Sequence, residues 1–131
     1  MDEVLAYLKK NPTYFLATDN QGKPEVRPFG TITKFENKLY IQTGKSKKVY
    51  EQMIANPYVA ISAADSDGTW LRINARVTPD ESIDAQQAVL DEYPELAPMY
   101  TAGDGNTIVF SLSEVQASFS SFTAPERTLS F

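Results

Sequence analysis

The chain contains no cysteine and no histidine. Without cysteine there is no disulfide framework, no thiol nucleophile and no thiolate metal site. Without histidine there is no zinc triad, no proximal haem imidazole and no Ser-His or Cys-His catalytic pair. Long apolar runs are missing as well. The longest stretch free of charge, Gln52 to Ala64, is 13 residues and is interrupted by Asn56-Pro57. A helix that crosses a bilayer needs about 20 apolar residues. Asp2 and Glu3 carry the wrong sign for a secretory leader, so the expectation is a cytoplasmic protein. What is present is ordinary for a soluble globule: 131 residues, 42% hydrophobic and 22% charged. At about 150 residues per domain this is one domain over 1–131, large enough to build a core without staples.

Charge is unevenly spread. The net value is −5, yet residues 1–60 sum to +3 and residues 61–131 to −8, and all eight lysines lie at or before Lys48. An acidic protein is poorly suited to non-specific nucleic-acid binding, which rests on phosphate neutralisation. A basic cluster inside it fits one small anionic ligand, with a solvated lysine-rich surface as the alternative.

Hydrophobic periodicity and turn residues divide the chain into short elements. Val4, Leu5 and Leu8 give Asp2–Lys10 one apolar stripe, and Asn11-Pro12 ends that helix. Strands are predicted over 13–18, 25–35 and 39–43, joined by hairpin-length turns at Asp19–Gly22 and Glu36–Lys38. A helix over 46–55, with Ser46 as N-cap, stops at Asn56-Pro57. Strands follow over 58–63 and 69–77. In the latter Leu71, Ile73, Ala75 and Val77 face one way and Trp70, Arg72, Asn74 and Arg76 the other. A helical region broken by Pro94 and Pro98 runs to about Tyr100. It holds seven acidic residues and no basic one between Asp80 and Asp104, and reads as a solvated face. A long strand over 107–119 comes last. The fold class is mostly β (α+β), a six-stranded antiparallel barrel or sandwich with short flanking helices. Its predicted core includes Val59, Ile61, Leu71, Ile73, Val77, Ile108 and Phe110. Tyr14, Phe15, Tyr40 and Tyr58 are expected to pack in the core or at its rim.

The stretch that carries chemistry is Thr43-Gly44-Lys45-Ser46-Lys47-Lys48. A strand ends at Thr43 and a helix starts near Ser46, so three lysines and a hydroxyl meet the free N–H groups of a helix start, a natural phosphate cradle. Lysines in a first turn oppose the helix dipole, which argues for a bound anion. Gly44-Lys45-Ser46 also spells the end of a Walker A loop. That pattern needs a glycine five residues earlier, where Leu39 stands, and its strands should be parallel; a P-loop is excluded. Arg27, in a strand just past the first turn, offers a planar fork to the same anion, or is an ordinary exposed strand arginine. The Trp70/Arg72/Asn74/Arg76 face is solvent, a dimer interface or a ligand wall, and tryptophan and arginine are enriched at interfaces.

The order of these parts is distinctive. A strand with Arg27-Pro28, a strand ending in Thr43, the run Thr43-x-x-Ser46-x-Lys48 entering a helix, Asn56-Pro57 and the strand Trp70-x-Arg72-x-Asn74 together resemble the pyridoxamine 5′-phosphate oxidase-like family. The likeness covers about residues 1–120. It implies an FMN-binding split β-barrel acting as a homodimer. It further implies that Arg27, Pro28, Phe29, Gly30, Thr31 and Ile32 line FMN, with Arg27 on the phosphate. Gln42 and Thr43 would touch the ribityl-phosphate, Lys47 and Lys48 after Ser46 would grip the phosphate, and Trp70, with Arg72 and Asn74 on its face, would stand where relatives set a glutamine against the cofactor. Some relatives carry a lysine where this chain has Ile32. The C-terminal histidine and arginine that hold pyridoxal phosphate in the true oxidases have no counterpart, which argues against vitamin B6 oxidation. The implied activity is that of a flavin-dependent oxidoreductase of unspecified substrate. A non-catalytic flavin-binding or storage module and a deazaflavin-dependent relative are the alternatives.

Overall fold

Period-2 alternation of apolar side chains dominates the chain, and the computed structural model, which describes residues Met1 to Phe131, converts it into one eight-stranded antiparallel sheet. The elements are α1 (Asp2–Lys10), β1 (Tyr14–Asn20), β2 (Lys23–Phe29), β3 (Thr33–Phe35), β4 (Lys38–Gly44) and α2 (Lys48–Ala55). They continue with β5 (Tyr58–Ala64), β6 (Thr69–Asp80), α3 (Ile83–Glu92), a 3₁₀ turn at Pro94–Leu96, β7 (Thr107–Ser121) and β8 (Arg127–Ser130). The strand order is β2-β1-β5-β6-β7-β4-β3, with β8 added to β7. The sheet curls around its core without closing, as the split-barrel expectation requires.

Strand count is where the sequence reading differs. The strand expected over 25–35 is two strands, because Gly30, Thr31 and Ile32 leave the ladder: β2 ends with Phe29 opposite Tyr14, and β3 begins with Thr33 opposite Tyr40. The residues after Pro125 add β8. The turn at Glu36-Asn37 is as expected, with φ of 48° and 61°, the left-handed pair that a two-residue hairpin demands.

The alternation of β6 sets the inside of the curl. Leu71, Ile73, Ala75 and Val77 are buried, while Arg72 and Asn74 are exposed. They join Val59, Ile61, Ile108 and Phe110 in a core cluster of 21 buried residues, as predicted. β7 serves two neighbours by bending: Glu114 has a φ of 49°, and the register against β6 slips between Asn74 and Arg76. This bulge lets the first part of β7 pair with β4 and its last part with β8.

β4 is buried on both faces after Lys38. Its outer face is covered by α3, whose Ala85 and Val89 pack on Tyr40 and Val109. The Tyr40 hydroxyl donates to Asp80 Oδ2 at 2.9 Å. Burial first, then that bond, push its pKa up to about 12. An unfolded tyrosine titrates near 10. The folded chain therefore holds a proton that the unfolded one releases, so the stability Tyr40 contributes is complete below about pH 10 and is lost as pH rises towards 12. Tyr40→Phe is expected to flatten the fall in denaturation midpoint across that window; an unchanged slope would disprove it.

Candidate functional site

The break between β2 and β3 takes three residues out of the sheet, and Thr31 and Ile32 are held by side-chain partners instead. The Tyr14 hydroxyl donates to the Thr31 carbonyl. The Gln42 N–H donates to Thr31 Oγ1 at 3.0 Å. Tyr93 Oη accepts from the Ile32 N–H and donates to the Ile32 carbonyl, both at 3.0 Å. Burial holds the Tyr14 hydroxyl well above its ordinary pKa, so it stays a donor.

This pinned break floors a cleft of about 300 Å³. One wall is the β2 end and the break, Arg27 to Thr31; the β4 end, Gln42 and Thr43, lies beside it, together with Lys47. The opposite wall comes from the segment after α3, through Tyr93, Glu95, Leu96, Met99 and Tyr100. Tyr100 reaches β4 closely: a Cβ on Gly44 would meet its hydroxyl at 3.0 Å, so only glycine lets it sit there undisturbed.

Arg27 is half-buried and bonded only to neutral acceptors. Its Nη1 donates to Thr18 Oγ1 at 2.7 Å and to the Leu16 carbonyl at 3.3 Å, and its Nη2 to Gln52 Oε1 at 2.8 Å. Desolvation lowers its pKa, and Glu25 opposes that. Neither Arg27, Lys47 nor Lys48 has a carboxylate within 4.0 Å, whereas neighbouring Lys45 is paired with Glu81 at 2.9 Å. A partly desolvated Arg27 and an exposed Lys47, neither in a direct ion pair, fit an anion such as a phosphomonoester.

The start of α2 departs from expectation in detail. The helix begins at Lys48 with Lys47 at its N-cap and no side-chain cap bond. Ser46 is not the cap, because the Gly44–Lys47 turn is held from outside: Asn106 accepts the Lys45 N–H through its carbonyl at 2.7 Å and the Ser46 N–H through its side chain at 3.1 Å.

Both sequence and fold now carry the decisive comparison: the family model described as pyridoxamine 5′-phosphate oxidase matches residues 1–93. The chain belongs to this family. A solved NimC/NimA family protein from Clostridium acetobutylicum is 34% identical, with a TM-score of 0.96 over 100% of this chain and 92% of that one. A pyridoxamine 5′-phosphate oxidase-related, FMN-binding protein from Nostoc punctiforme shares the fold at 15% identity and a TM-score of 0.71, covering 99% of this chain and 95% of that one. A structure named F420 reductase does so at 20% identity and a TM-score of 0.60, covering 82% and 89%. No curated protein matches the chain significantly.

The cleft gathers eight of the family-derived positions: Arg27, Pro28, Phe29, Gly30, Thr31, Gln42, Thr43 and Lys47. Others lie apart from it. Ile32 is at the break, but its side chain is buried in the core, so only its backbone can serve. The Gln42 side chain is also turned inward, donating to Thr107 Oγ1 at 3.1 Å. Lys48 lines a separate polar hollow with Asp19, Glu51 and Gln52. Trp70, Arg72 and Asn74 stand on the outer face of the sheet, where Arg72 and Asn74 border a shallow hollow with Phe15 and Val26. The Trp70 ring packs on Phe122, centroids 5.0 Å apart.

Sequence reasoning missed the wall from Tyr93 to Tyr100, which it read as part of a solvated face. Its signal was the pair of aromatics that bracket Pro94 and Pro98. Prolines end α3 and force a 3₁₀ turn, and the tyrosines on either side then anchor the segment over the cleft.

Proposed function

We propose that this chain is an FMN-binding flavoprotein and oxidoreductase that works as a cytoplasmic homodimer. The observation that carries the reading is the cleft in which two cations with no carboxylate within 4.0 Å, Arg27 and Lys47, stand beside a strand break whose Gly30 is exposed. Arg27 would take phosphate oxygens with the guanidinium donors that Thr18, Leu16 and Gln52 leave free, and Lys47 would supply a point charge at the start of α2. Thr43 would add a hydroxyl from the cleft lining, while Ser46 and Lys48 lie outside that lining and would act from its edge. The break and its facing wall, with Phe29, Leu96 and Met99, offer a partly apolar slot for a ring system. Bound flavin supplies the hydride and electron chemistry; the residues here bind it, orient it and limit water around it. The relative from Nostoc punctiforme is named as FMN-binding, which agrees with this reading. No helix of the chain is long and apolar enough to cross a membrane.

The homodimer is supported by the outer face of the sheet. Phe15 and Val26, 49% and 65% exposed, border one hollow there, and Phe122, 93% exposed, packs on Trp70. Exposed apolar side chains of this size are characteristic of a protein interface.

The test is a titration of the purified protein with FMN, read by flavin fluorescence and visible absorbance, with the mass measured by light scattering at tens of micromolar. The expected result is about one FMN per chain in a dimer, reducible by NADH or NADPH. FMN binding without reduction by any donor would make it a storage module. Preference for a deazaflavin over FMN would overturn the choice of cofactor, and a monomeric mass would overturn the dimer.

A further inference from the structure

One hydroxyl holds the cleft together. Tyr93 Oη accepts from the Ile32 N–H and donates to the Ile32 carbonyl, both at 3.0 Å, and it accepts from Lys9 Nζ at 2.9 Å. Two acceptances and one donation use its full capacity. The three bonds join three parts of the molecule. Ile32 belongs to the break that floors the cleft. Lys9 belongs to α1, where it also pairs with Glu92 and lies 4.6 Å from the Tyr93 ring centroid. Tyr93 itself starts the segment that walls the cleft.

The break depends on this arrangement. Between Phe29 and Thr33 no ladder pairing continues, so the backbone there has no sheet partner to fix it. Tyr14 and Gln42 hold Thr31, and Tyr93 alone holds both polar groups of Ile32 through side-chain bonds. Ile32 is also locked from the other side, its side chain buried in the core. The floor is therefore set by a clamp with apolar packing below and the tyrosine oxygen beside it.

We infer that Tyr93, held by Lys9, is a positioning residue of the binding site: it fixes the strand-break backbone and the facing wall at the separation that accepts the ring of the bound flavin. This rests on the flavin reading and assigns a role to a side chain that carries no charge and bonds Ile32 and Lys9 rather than either cation of the cleft. The consequence is a signature opposite to that of Arg27. A clamp on the ring slot affects every ligand that carries the ring, with or without its phosphate.

The experiment measures FMN and riboflavin affinities of the full chain, together with the visible circular dichroism of the bound flavin, for Tyr93→Phe, Lys9→Met and the double variant. Tyr93→Phe is expected to weaken both flavins alike, by about 10-fold, because it strands the two Ile32 backbone groups next to the Gly30-Thr31 floor of the cleft. The dichroism of the bound ring changes with it, which a loss of stability alone would not produce. Lys9→Met acts in the same direction by about 3-fold, and the double variant is no weaker than Tyr93→Phe, because Lys9 acts through the hydroxyl. Wild-type affinities and dichroism in Tyr93→Phe, or a loss confined to FMN, would overturn the inference. If Tyr93→Phe does not fold, Lys9→Met, altered at the surface, decides by the same readouts. Failure of the wild-type chain to bind FMN would overturn the flavin reading and this inference with it. Binding by wild type with an indifferent Tyr93→Phe would overturn this inference alone.

Discussion

Arg27→Ala is expected to weaken FMN by roughly 10- to 150-fold and to leave riboflavin within about twofold. A hydrogen bond to a charged group contributes about 1.5–3 kcal/mol, and each 1.4 kcal/mol is tenfold in affinity. The guanidinium lies at the cleft with no carboxylate within 4.0 Å, so an arriving phosphate does not have to displace an internal ion pair. Its bonds to Thr18 and Gln52 pre-position the fork, and those two are also bonded to each other, the Thr18 hydroxyl donating to Gln52 Oε1 at 2.6 Å. The fold around the vacancy should therefore hold. Lys47→Ala should act in the same selective way, and more strongly than Lys48→Ala, because Lys47 lines the cleft and Lys48 faces the neighbouring hollow. Paired titrations of FMN and riboflavin decide it. Equal losses for both ligands in Arg27→Ala would place the arginine away from the phosphate.

The elements that could be read in the sequence are those whose cause is local. The 69–77 strand shows its two faces in its alternation, and Leu71, Ile73 and Val77 are buried as that pattern requires. Asn11-Pro12 and Asn56-Pro57 stop helices because proline restricts the residue before it. The cationic end of the cleft, where phosphate binding is proposed, lies near strand and helix ends for the same reason, with Arg27 late in β2 and Lys47 at the start of α2. What stayed hidden depends on contacts distant in sequence. The break at Gly30–Ile32 looks like uninterrupted strand, and Tyr93, 61 residues further along the chain, is what pins it. Ser46 has the chemistry of an N-cap, yet Asn106, 60 residues away, takes its N–H and moves the helix start to Lys48. Tertiary partners override propensity at both places, and both border the cleft.

Leu71→Ala is expected to cost about 2–5 kcal/mol of folding stability, a large share of the roughly 5–15 kcal/mol that a domain possesses. Leu71 is 0% exposed near the start of β6, registered between Ala63 on β5 and Phe119 on β7. Its removal opens a cavity under three strands that are tied by backbone ladders and cannot collapse to fill it. Arg72, one residue on, points to the exposed outer face. Arg72→Ala should therefore change stability by no more than about 0.5 kcal/mol in the absence of ligand. Chemical denaturation of both variants at one protein concentration makes the comparison, since any dimer adds a concentration-dependent contribution. The pair reads the pleat directly: one strand, adjacent positions, opposite faces. A loss below about 1 kcal/mol for Leu71→Ala, or a larger one for Arg72→Ala, would invert the strand. It would also turn Trp70 and Asn74 inward and remove the outer face on which the homodimer is proposed.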